Sequence, residues 1–448
     1  MTERRHGMLQ LARLYGVETS YEGMGGGVHR ADHGALALVL RALGAELDAD
    51  GGARHALRAR RAELDALPIQ PVQVAWGGNV PPLRIRLRSA REQAASVELR
   101  LEDGEVVVLS TLTKVLPRRA LRGWTATHAL EIGRRLPPGY HTARVEVERQ
   151  TFQTLIVASP RRAWSPAAPE REWGLFFPLY AVGSETSWGV GDYSDLATAS
   201  DWIASLGGGF VSTLPLLATF LDAPFEPSPY SPASRLFWNE LFLDVRRVPG
   251  WPGPAGDLQA EIEACRRGDL VDYRRIADLK RRELERALHH ARGDADVMDE
   301  VRRFATARPL ALEYAGFRAA CDRRREGWHS WPRRLRDGIL TEDDFDPADR
   351  DYHTFVQWQA DRQLGDAARA GARLYLDMPL GVNPDGFDNW RYSDLFADGI
   401  SAGAPPDPLF TGGQNWGFRP MVPDALRASG YRYLADTLRH HLRHARML

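Results

Sequence analysis

A proline- and glycine-rich loop at residues 403–417, with the sequence GAPPDPLFTGGQNWG, carries side chains that suit a sugar ligand. Asp407, Gln414 and Trp416 supply a carboxylate, an amide and a large aromatic face. Sugar hydroxyls need fixed hydrogen-bond partners, whereas the C–H face of a sugar packs on aromatic rings. Because a plain connecting loop needs only turn residues and solubility, this composition predicts a binding surface.

A second polar loop, residues 226–235 with the sequence EPSPYSPASR, presents the hydroxyl of Ser228 and the phenol of Tyr230. Its prolines restrict the backbone, so the loop can hold hydrogen-bonding groups in place for a ligand rich in hydroxyls. A proline-braced turn without any ligand explains the same residues. On the physics of the sequence alone, that simpler interpretation is favoured.

Two aspartates accompany an apolar run, residues 372–380, that predicts a buried strand. Asp377 lies at the carboxyl end of this run, and Asp385 lies in the loop beyond it. In α/β folds, a carboxylate at the carboxyl end of a strand is more often functional than structural. For Asp385, and equally for Asp388 three residues later, helix capping or loop bracing is as compatible with the sequence as a sugar contact.

Other kinds of site find little support in the sequence. The glycine clusters lack the lysine of a phosphate loop and the spacing of a dinucleotide fingerprint, and no serine lies in a Gly-x-Ser-x-Gly elbow. His440, His441 and His444 have no acidic partner at ligand spacing, which predicts a solvated helix face rather than a metal site. We expect neither a metal nor an organic cofactor.

Composition limits the partners. The chain has 448 residues, is 44% hydrophobic and carries a formal net charge of −1 at pH 7. A near-neutral chain has no field that favours nucleic acid or an anionic membrane, and no run is long and apolar enough to span a bilayer. Cys265 and Cys321 lie far apart, and the start of the sequence lacks a leader pattern. A reducing cytoplasm is therefore expected.

Hydrophobic periodicity divides the chain into three regions. Residues 1–70 favour helices, and residues 71–160 consist of short alternating runs separated by turn residues, which predicts a β-sandwich domain. A linker rich in Pro, Arg and Ala follows at 159–171. Residues 172–448 alternate apolar runs and helical patterns, which is typical of an α/β fold with buried parallel strands at 175–182, 210–218 and 372–380. The charged stretch at about 255–350 predicts an inserted helical subdomain.

These motifs, in this order, resemble the 4-α-glucanotransferases of the amylomaltase or disproportionating-enzyme family, glycoside hydrolase family 77. The resemblance covers nearly the whole chain and rests on five segments: 175–180 (LFFPLY), 187–192 (SWGVGD), 228–232 (SPYSP), 377–382 (DMPLGV) and the 403–417 loop. No single segment is specific, but their ordered combination is.

The resemblance implies a (β/α)8 barrel that transfers α-1,4-glucan segments between maltooligosaccharides with retention, through a glycosyl-enzyme intermediate. It implies that Ser228 and Tyr230 line donor subsites and that Asp377 and Asp385 lie at the end of the third strand. It also places Asp407, Gln414 and Trp416 in a loop over the sugar path. A non-catalytic α-glucan-binding fragment and an α-glucan hydrolase of the amylase type are the alternatives.

The resemblance also implies that the catalytic groups are missing from this chain. In the family, the nucleophile, the general acid and a third carboxylate follow the position of Leu448, so we expect no catalytic residue in residues 1–448. Only the first three barrel strands are recognisable, and three strands leave an exposed edge beside the third. We therefore expect an inactive N-terminal portion of a glucanotransferase with a partial barrel.

Overall fold

The computed structural model describes residues 2–24, 26–48, 52–116, 126–163 and 171–448. The predicted linker at 159–171 falls mostly outside these residues. The described residues form two compact units, each with its own hydrophobic core. The first unit takes the described residues of Met1–Pro169 together with Ala397–Gln414 and Met421–Tyr433, and the second takes those of Glu170–Phe396, Asn415–Pro420 and Leu434–Leu448.

The first unit begins with three helices and a short antiparallel hairpin. In chain order these are α1 (Thr2–Leu14), β1 (Ser20–Glu22), β2 (Val28–Arg30), α2 (His33–Ala42) and α3 (Arg54–Ala66). The Asp32 side chain caps α2 by accepting a hydrogen bond from the backbone N–H of Ala35 at 2.9 Å. Met8, Leu11 and Leu40 are fully buried in a core that the helices share. The apolar runs predicted as helices do form helices.

Two β-sheets follow in the first unit. Their strands are β3 (Val72–Trp76), β4 (Leu83–Leu87), β5 (Ala94–Arg100), β6 (Val106–Leu112), β7 (Lys114–Leu116), β8 (Ala126–Leu130), β9 (Gly139–Val147) and β10 (Gln150–Ser159). One sheet has the order β3-β10-β9-β5-β6 and the other the order β4-β8-β7. Alternate residues of β4, β5 and β9, such as Ile85, Val97 and Val145, point into one shared core.

The second unit is built on a parallel sheet with the order β11-β12-β13, whose strands are β11 (Gly174–Phe176), β12 (Phe210–Thr213) and β13 (Arg373–Leu376). Helix α4 (Tyr193–Ser205) connects β11 to β12. Six helices come between β12 and β13: α5 (Leu258–Arg266), α6 (Tyr273–Ala291), α7 (Ala295–Ala307), α8 (Pro309–Arg324), α9 (Arg333–Arg336) and α10 (Pro347–Ala368). Helices α5 to α9 lie within the stretch of about 255–350 that is predicted as a helical insertion, and α10 lies mostly beyond it.

The remaining elements follow β13. They are α11 (Phe387–Arg391), the paired short strands β14 (Gly403–Ala404) and β15 (Gln414–Asn415), α12 (Pro423–Ala428) and α13 (Arg432–Leu442). Within the first unit, the buried guanidinium of Arg60 donates to the carboxylate of Asp424 at the start of α12 and to that of Glu63. In the part of the chain that the structure describes, no helix combines the length and hydropathy needed to cross a bilayer.

All three parallel strands are shorter than the predicted runs. The runs at 175–182, 210–218 and 372–380 contain Pro178, Pro215 and Pro379, and each strand ends shortly before its proline. Proline has no N–H to donate to a neighbouring strand, so it ends the ladder. The predicted apolar runs therefore continue as loops at the carboxyl ends of the strands.

The expected exposed edge beside the third strand is partly covered. Arg446 donates its backbone N–H to the carbonyl of Leu374 at 3.0 Å, and Leu376 donates to the carbonyl of Met447 at 3.1 Å. Tyr375 and Met447 form a parallel bridge. Arg446 and Met447 thus extend the parallel sheet past β13.

The prediction that the histidines of α13 form a solvated face is wrong. His440 and His441 are buried, whereas Leu438 and Leu442 are 42% and 52% exposed. The ring of His440 stacks on the buried Trp238, with centroids 4.0 Å apart and an interplanar angle of 25°. Packing against an aromatic partner distant in sequence outweighs the leucine periodicity, which is why the pattern alone selected the wrong face.

Candidate functional site

The loops that follow β12 and β13 meet at the carboxyl ends of the parallel strands. The Tyr230 hydroxyl, in the loop after β12, donates to Asp377 Oδ2 at 2.9 Å, directly after β13. The backbone N–H of Asn383 donates to the carbonyl of Pro232 at 2.8 Å. Parallel strands bring their carboxyl ends to one edge of a sheet, so residues far apart in sequence become neighbours there.

The Tyr230–Asp377 pair combines a phenol and a carboxylate at an accessible position. Tyr230 is 52% exposed. Partial burial, the hydrogen bond to Asp377 and the negative charge of that carboxylate raise the pKa of Tyr230 above its usual value. The phenol therefore stays protonated at neutral pH, and its oxygen can still accept a hydrogen bond from a ligand.

Ser228 shapes the loop that carries Tyr230. Its Oγ accepts from the backbone N–H of Tyr230 at 3.3 Å, and its own N–H donates to Glu226 Oε1 at 3.1 Å. Its carbonyl accepts from Ser231 at 3.1 Å. The structure thus contains the proline-braced turn that the sequence favours, and this turn holds the phenol toward Asp377.

A buried aspartate joins the two loops below the surface. Asp388 is fully buried and accepts from Ser234 Oγ at 2.5 Å and from the backbone N–H of Arg235 at 2.9 Å. The Arg235 guanidinium, also buried, donates to the carbonyls of Pro379 and Leu380 at 3.3 and 3.1 Å. The sequence is compatible with a loop-bracing role for Asp388 but does not identify its partners, because nothing in local spacing links residues 234–235 to 388.

Asp385 lies in the loop after β13 and contacts the inserted helical region. Its Oδ1 is 2.9 Å from Nδ1 of His329, and its backbone N–H donates to Asn383 Oδ1 at 2.9 Å. The side chains of Asp385 and His329 are 37% and 48% exposed. The sequence predicted Asp385 but gave no indication of His329.

Trp416 rests on the loop after β13 through an aromatic neighbour. Its ring stacks on Phe418, with centroids 5.9 Å apart and an interplanar angle of 24°. Phe418 lies over Gly381, where an added Cβ would overlap the phenyl ring. Because Trp416 is 44% exposed, it presents a ring face to solvent. We call Ser228, Tyr230, Asp377, Asp385 and Trp416 the strand-end site.

The other two predicted residues, Asp407 and Gln414, belong to the first unit. Asp407 Oδ1 accepts from the backbone N–H groups of Leu409 and Phe410 at 2.8 and 2.6 Å. This arrangement is an aspartate turn, in which the side chain fixes the loop backbone. Asp407 therefore has a conformational role within its loop.

The strand-end site offers a phenol, two carboxylates, a hydroxyl and an aromatic face within one unit. This combination suits a neutral ligand rich in hydroxyl groups, since the polar groups bind hydroxyls and the indole packs on a sugar ring. Among the described residues, no three His, Cys, Asp or Glu side chains are arranged to hold a metal ion.

Comparison with known proteins gives two family matches. Residues 177–448 match the family model described as 4-alpha-glucanotransferase, and residues 68–160 match the model described as MalQ N-terminal beta sandwich domain. The 4-alpha-glucanotransferases of Mycobacterium bovis and Mycobacterium tuberculosis are 32% identical over 475 residues, covering 99% of this chain and 65% of each relative. The chain thus spans 65% of the length of these relatives.

Solved structures show the same similarity. The amylomaltase from Corynebacterium glutamicum superposes with a TM-score of 0.79 at 25% identity, over 98% of this chain and 64% of that chain. The amylomaltase from Streptococcus agalactiae, solved in complex with acarbose, superposes with a TM-score of 0.51 at 19% identity, over 62% of this chain and 58% of that chain. The chain has an α/β fold similar to that of the Corynebacterium protein.

Proposed function

This chain belongs to the 4-alpha-glucanotransferase family, as its motifs predict, and from that premise we propose that it binds α-1,4-glucans at the strand-end site for glucan transfer. The reaction of the complete protein moves a glucan segment to the 4-hydroxyl of an acceptor glucan with retention, through a glycosyl-enzyme intermediate. The observation that carries this proposal is the Tyr230–Asp377 hydrogen bond, which assembles a protonated phenol and a carboxylate from two loops at one strand end.

We further propose that the parallel sheet is the first part of a (β/α)8 barrel. Its support is the order of the strands, the helix α4 between the first two, and the pairing of Met447 beside β13. The corresponding domain division has a helical region at 1–70, a β-sandwich at 71–160 and the barrel portion at 172–448. The core shared by the two β-sheets supports the second of these.

The proposed roles in glucan binding follow from chemistry and exposure. Tyr230 and Asp377 bind hydroxyls of a donor sugar, and Ser228 fixes the loop that presents Tyr230. Asp385 binds further hydroxyls, and the indole of Trp416 packs on a sugar face. Asp407 and Gln414 contribute through the 403–417 loop, whose turn Asp407 stabilises.

We propose that residues 1–448 bind glucan without transferring it. A retaining reaction needs two carboxyl groups roughly 5 Å apart on either side of the scissile bond. Asp388 is buried and accepts hydrogen bonds from Ser234 and Arg235. The carboxylate of Asp377 is hydrogen-bonded to Tyr230, and that of Asp385 to His329. For the complete protein, non-catalytic glucan binding is the second candidate function after glucan transfer, and hydrolysis of the amylase type is the third.

Charge and cysteine usage support a cytoplasmic placement without nucleic-acid partners. The formal net charge is −1 at pH 7. Cys265 and Cys321 are both buried and unpaired with each other, as in a protein that folds in a reducing compartment.

Calorimetric titration with maltoheptaose tests the binding proposal. Wild-type residues 1–448 should bind saturably, and Asp377→Asn and Tyr230→Phe should each weaken binding about tenfold, the effect of losing one hydrogen bond to a charged group. The control is Tyr21→Phe, which changes a partly exposed tyrosine in the first unit, whereas Tyr230 lies in the second; this variant should leave the affinity unchanged. Incubation with maltotriose should give no products of other lengths, and longer or shorter products would overturn the proposal that this chain binds without transfer.

A further inference from the structure

A short segment of the inserted helical region, residues 326–331 between α8 and α9, reaches the loop after β13. The Trp328 Nε1–H donates to the carbonyl of Pro384 at 3.0 Å. The next residue, His329, places Nδ1 2.9 Å from Asp385 Oδ1. Two consecutive residues of the insertion therefore form hydrogen bonds with two consecutive residues of the loop after β13.

The imidazole of His329 is held in one orientation. Its ring stacks on that of Trp328, with centroids 3.8 Å apart and an interplanar angle of 26°. Trp328 itself is 7% exposed and is thus fixed by its surroundings. A carboxylate only accepts hydrogen bonds, so Nδ1 of His329 carries the proton and donates to Asp385.

The backbone of the segment is also fitted to Asp385. An added Cβ at Gly327 would overlap the Asp385 carboxylate, so the glycine allows the close approach. On the other side, Asn383 Oδ1 accepts from the Asp385 backbone N–H at 2.9 Å. Glycine, histidine and asparagine together fix the position of this carboxylate.

The contact contributes little to folding stability as an ion pair. Both side chains are more than a third exposed, and exposed pairs are screened by water. A carboxylate held on one oxygen at the surface still has its second oxygen available, and preorganised acceptors of this kind bind sugar hydroxyls at a lower entropic cost.

We propose that His329 is a positioning residue for glucan binding. It fixes the Asp385 carboxylate so that Oδ2 accepts hydrogen bonds from sugar hydroxyls, and the inserted helical region thereby takes part in sugar recognition. This inference rests on the proposed binding of α-glucan at Asp385. It adds a residue that the motifs of the sequence do not include.

The test uses two His329 variants of residues 1–448, one that keeps the hydrogen-bond donor and one that keeps the aromatic ring. His329→Asn keeps an N–H donor near the position of Nδ1, whereas His329→Phe keeps the ring on Trp328 and removes the donor. For maltoheptaose measured by calorimetry, we expect His329→Phe to weaken binding about five- to tenfold and His329→Asn to stay within about threefold of wild type. Melting temperatures of both variants should match that of the wild type.

A double-mutant cycle with Asp385→Asn separates positioning from independent action. Because His329 acts through Asp385, the double variant His329→Phe/Asp385→Asn should bind no more weakly than Asp385→Asn alone. If the fold-loss of affinity in the double variant equals the product of the two single fold-losses, the proposal is overturned. It is also overturned if His329→Asn and His329→Phe lose equal affinity for maltoheptaose and both have lower melting temperatures than the wild type.

These measurements distinguish a failure of the positioning role from a failure of the proposed function. If wild-type protein binds maltoheptaose and His329→Phe binds with the same affinity, the positioning role is wrong and the proposed function stands. If wild-type protein does not bind at all, both are wrong.

Discussion

The buried His441 should make the second unit sensitive to acid. Its Nδ1 is 2.9 Å from the carbonyl of Thr437, and the side chain is fully buried. Burial, together with the positive charges of Arg235 and Arg443, lowers the pKa of His441 from 6.5 to about 4, and the Thr437 carbonyl and Asp377 oppose this shift. The fold therefore holds this imidazole neutral at pH values where an unfolded chain protonates it.

The sign and size of the effect follow from linkage. Between pH 6.5 and 4 the unfolded state binds more protons at this position than the folded state, so stability is full above pH 6.5 and is lost as the pH falls. With these two pKa values, the loss attributable to His441 is about 2 kcal/mol at pH 5. Burial also lowers the pKa of the adjacent His440, which adds to the total acid sensitivity.

The variant His441→Asn isolates this contribution. Asparagine can still donate to the Thr437 carbonyl but does not titrate, so its stability should change less between pH 7.5 and pH 5 than that of the wild type, by about 2 kcal/mol. Urea unfolding followed by tryptophan fluorescence gives the comparison, since Trp188, Trp238 and Trp358 lie in the core of the second unit. His289→Asn, at an exposed position, is the matched control. Parallel pH profiles for wild type and His441→Asn would refute the reasoning.

Three further substitutions probe the packing. Gly381→Ala should displace Phe418 and weaken maltoheptaose binding about tenfold while circular dichroism stays unchanged, because the added Cβ overlaps the ring beneath Trp416. Arg60→Ala should lower the stability of the first unit by about 2 kcal/mol in thermal unfolding, since a buried guanidinium bonded to Asp424 is lost. Asp388→Asn should destabilise the second unit by about 2–4 kcal/mol in urea, because an amide N–H would face donors that now bond to a carboxylate.

Each of these three predictions would be contradicted by a specific result. Unchanged affinity in Gly381→Ala would show that Trp416 does not contact the glucan. If Arg60→Ala shifted the thermal unfolding of the second unit rather than that of the first, the assignment of Arg60 to the first unit would be contradicted. Wild-type stability in Asp388→Asn would mean that the two loops are not held together by this carboxylate.

The residues of the proposed strand-end site can be selected from the sequence because they lie in short motifs. Ser228 and Tyr230 share one loop, and Asp377 follows a strand, so local composition and position were sufficient. In the structure, the hydrogen bond between Tyr230 and Asp377 joins these two segments. The apolar runs overestimate the lengths of the strands because each run contains a proline, before which the strand ends.

Other features depend on contacts that local patterns do not contain. The leucine periodicity of α13 predicts the wrong buried face, because the histidine face packs on Trp238. The partners of Asp385 and Asp388 lie in other loops, and only the folded chain brings His329 and Arg235 to them. Residues that brace a site through distant contacts are therefore found from structure, whereas residues that touch a ligand are more often found in motifs.

The central claim is that α-1,4-glucan binds at the strand-end site, and equilibrium binding of maltoheptaose to wild-type residues 1–448 and to the double variant Tyr230→Phe/Asp377→Asn tests it most directly. The wild-type protein should bind with one site per chain and should prefer maltoheptaose to the β-1,4-linked cellohexaose, and the double variant should lose this binding. Absence of wild-type binding, or equal binding in the double variant, would contradict the claim.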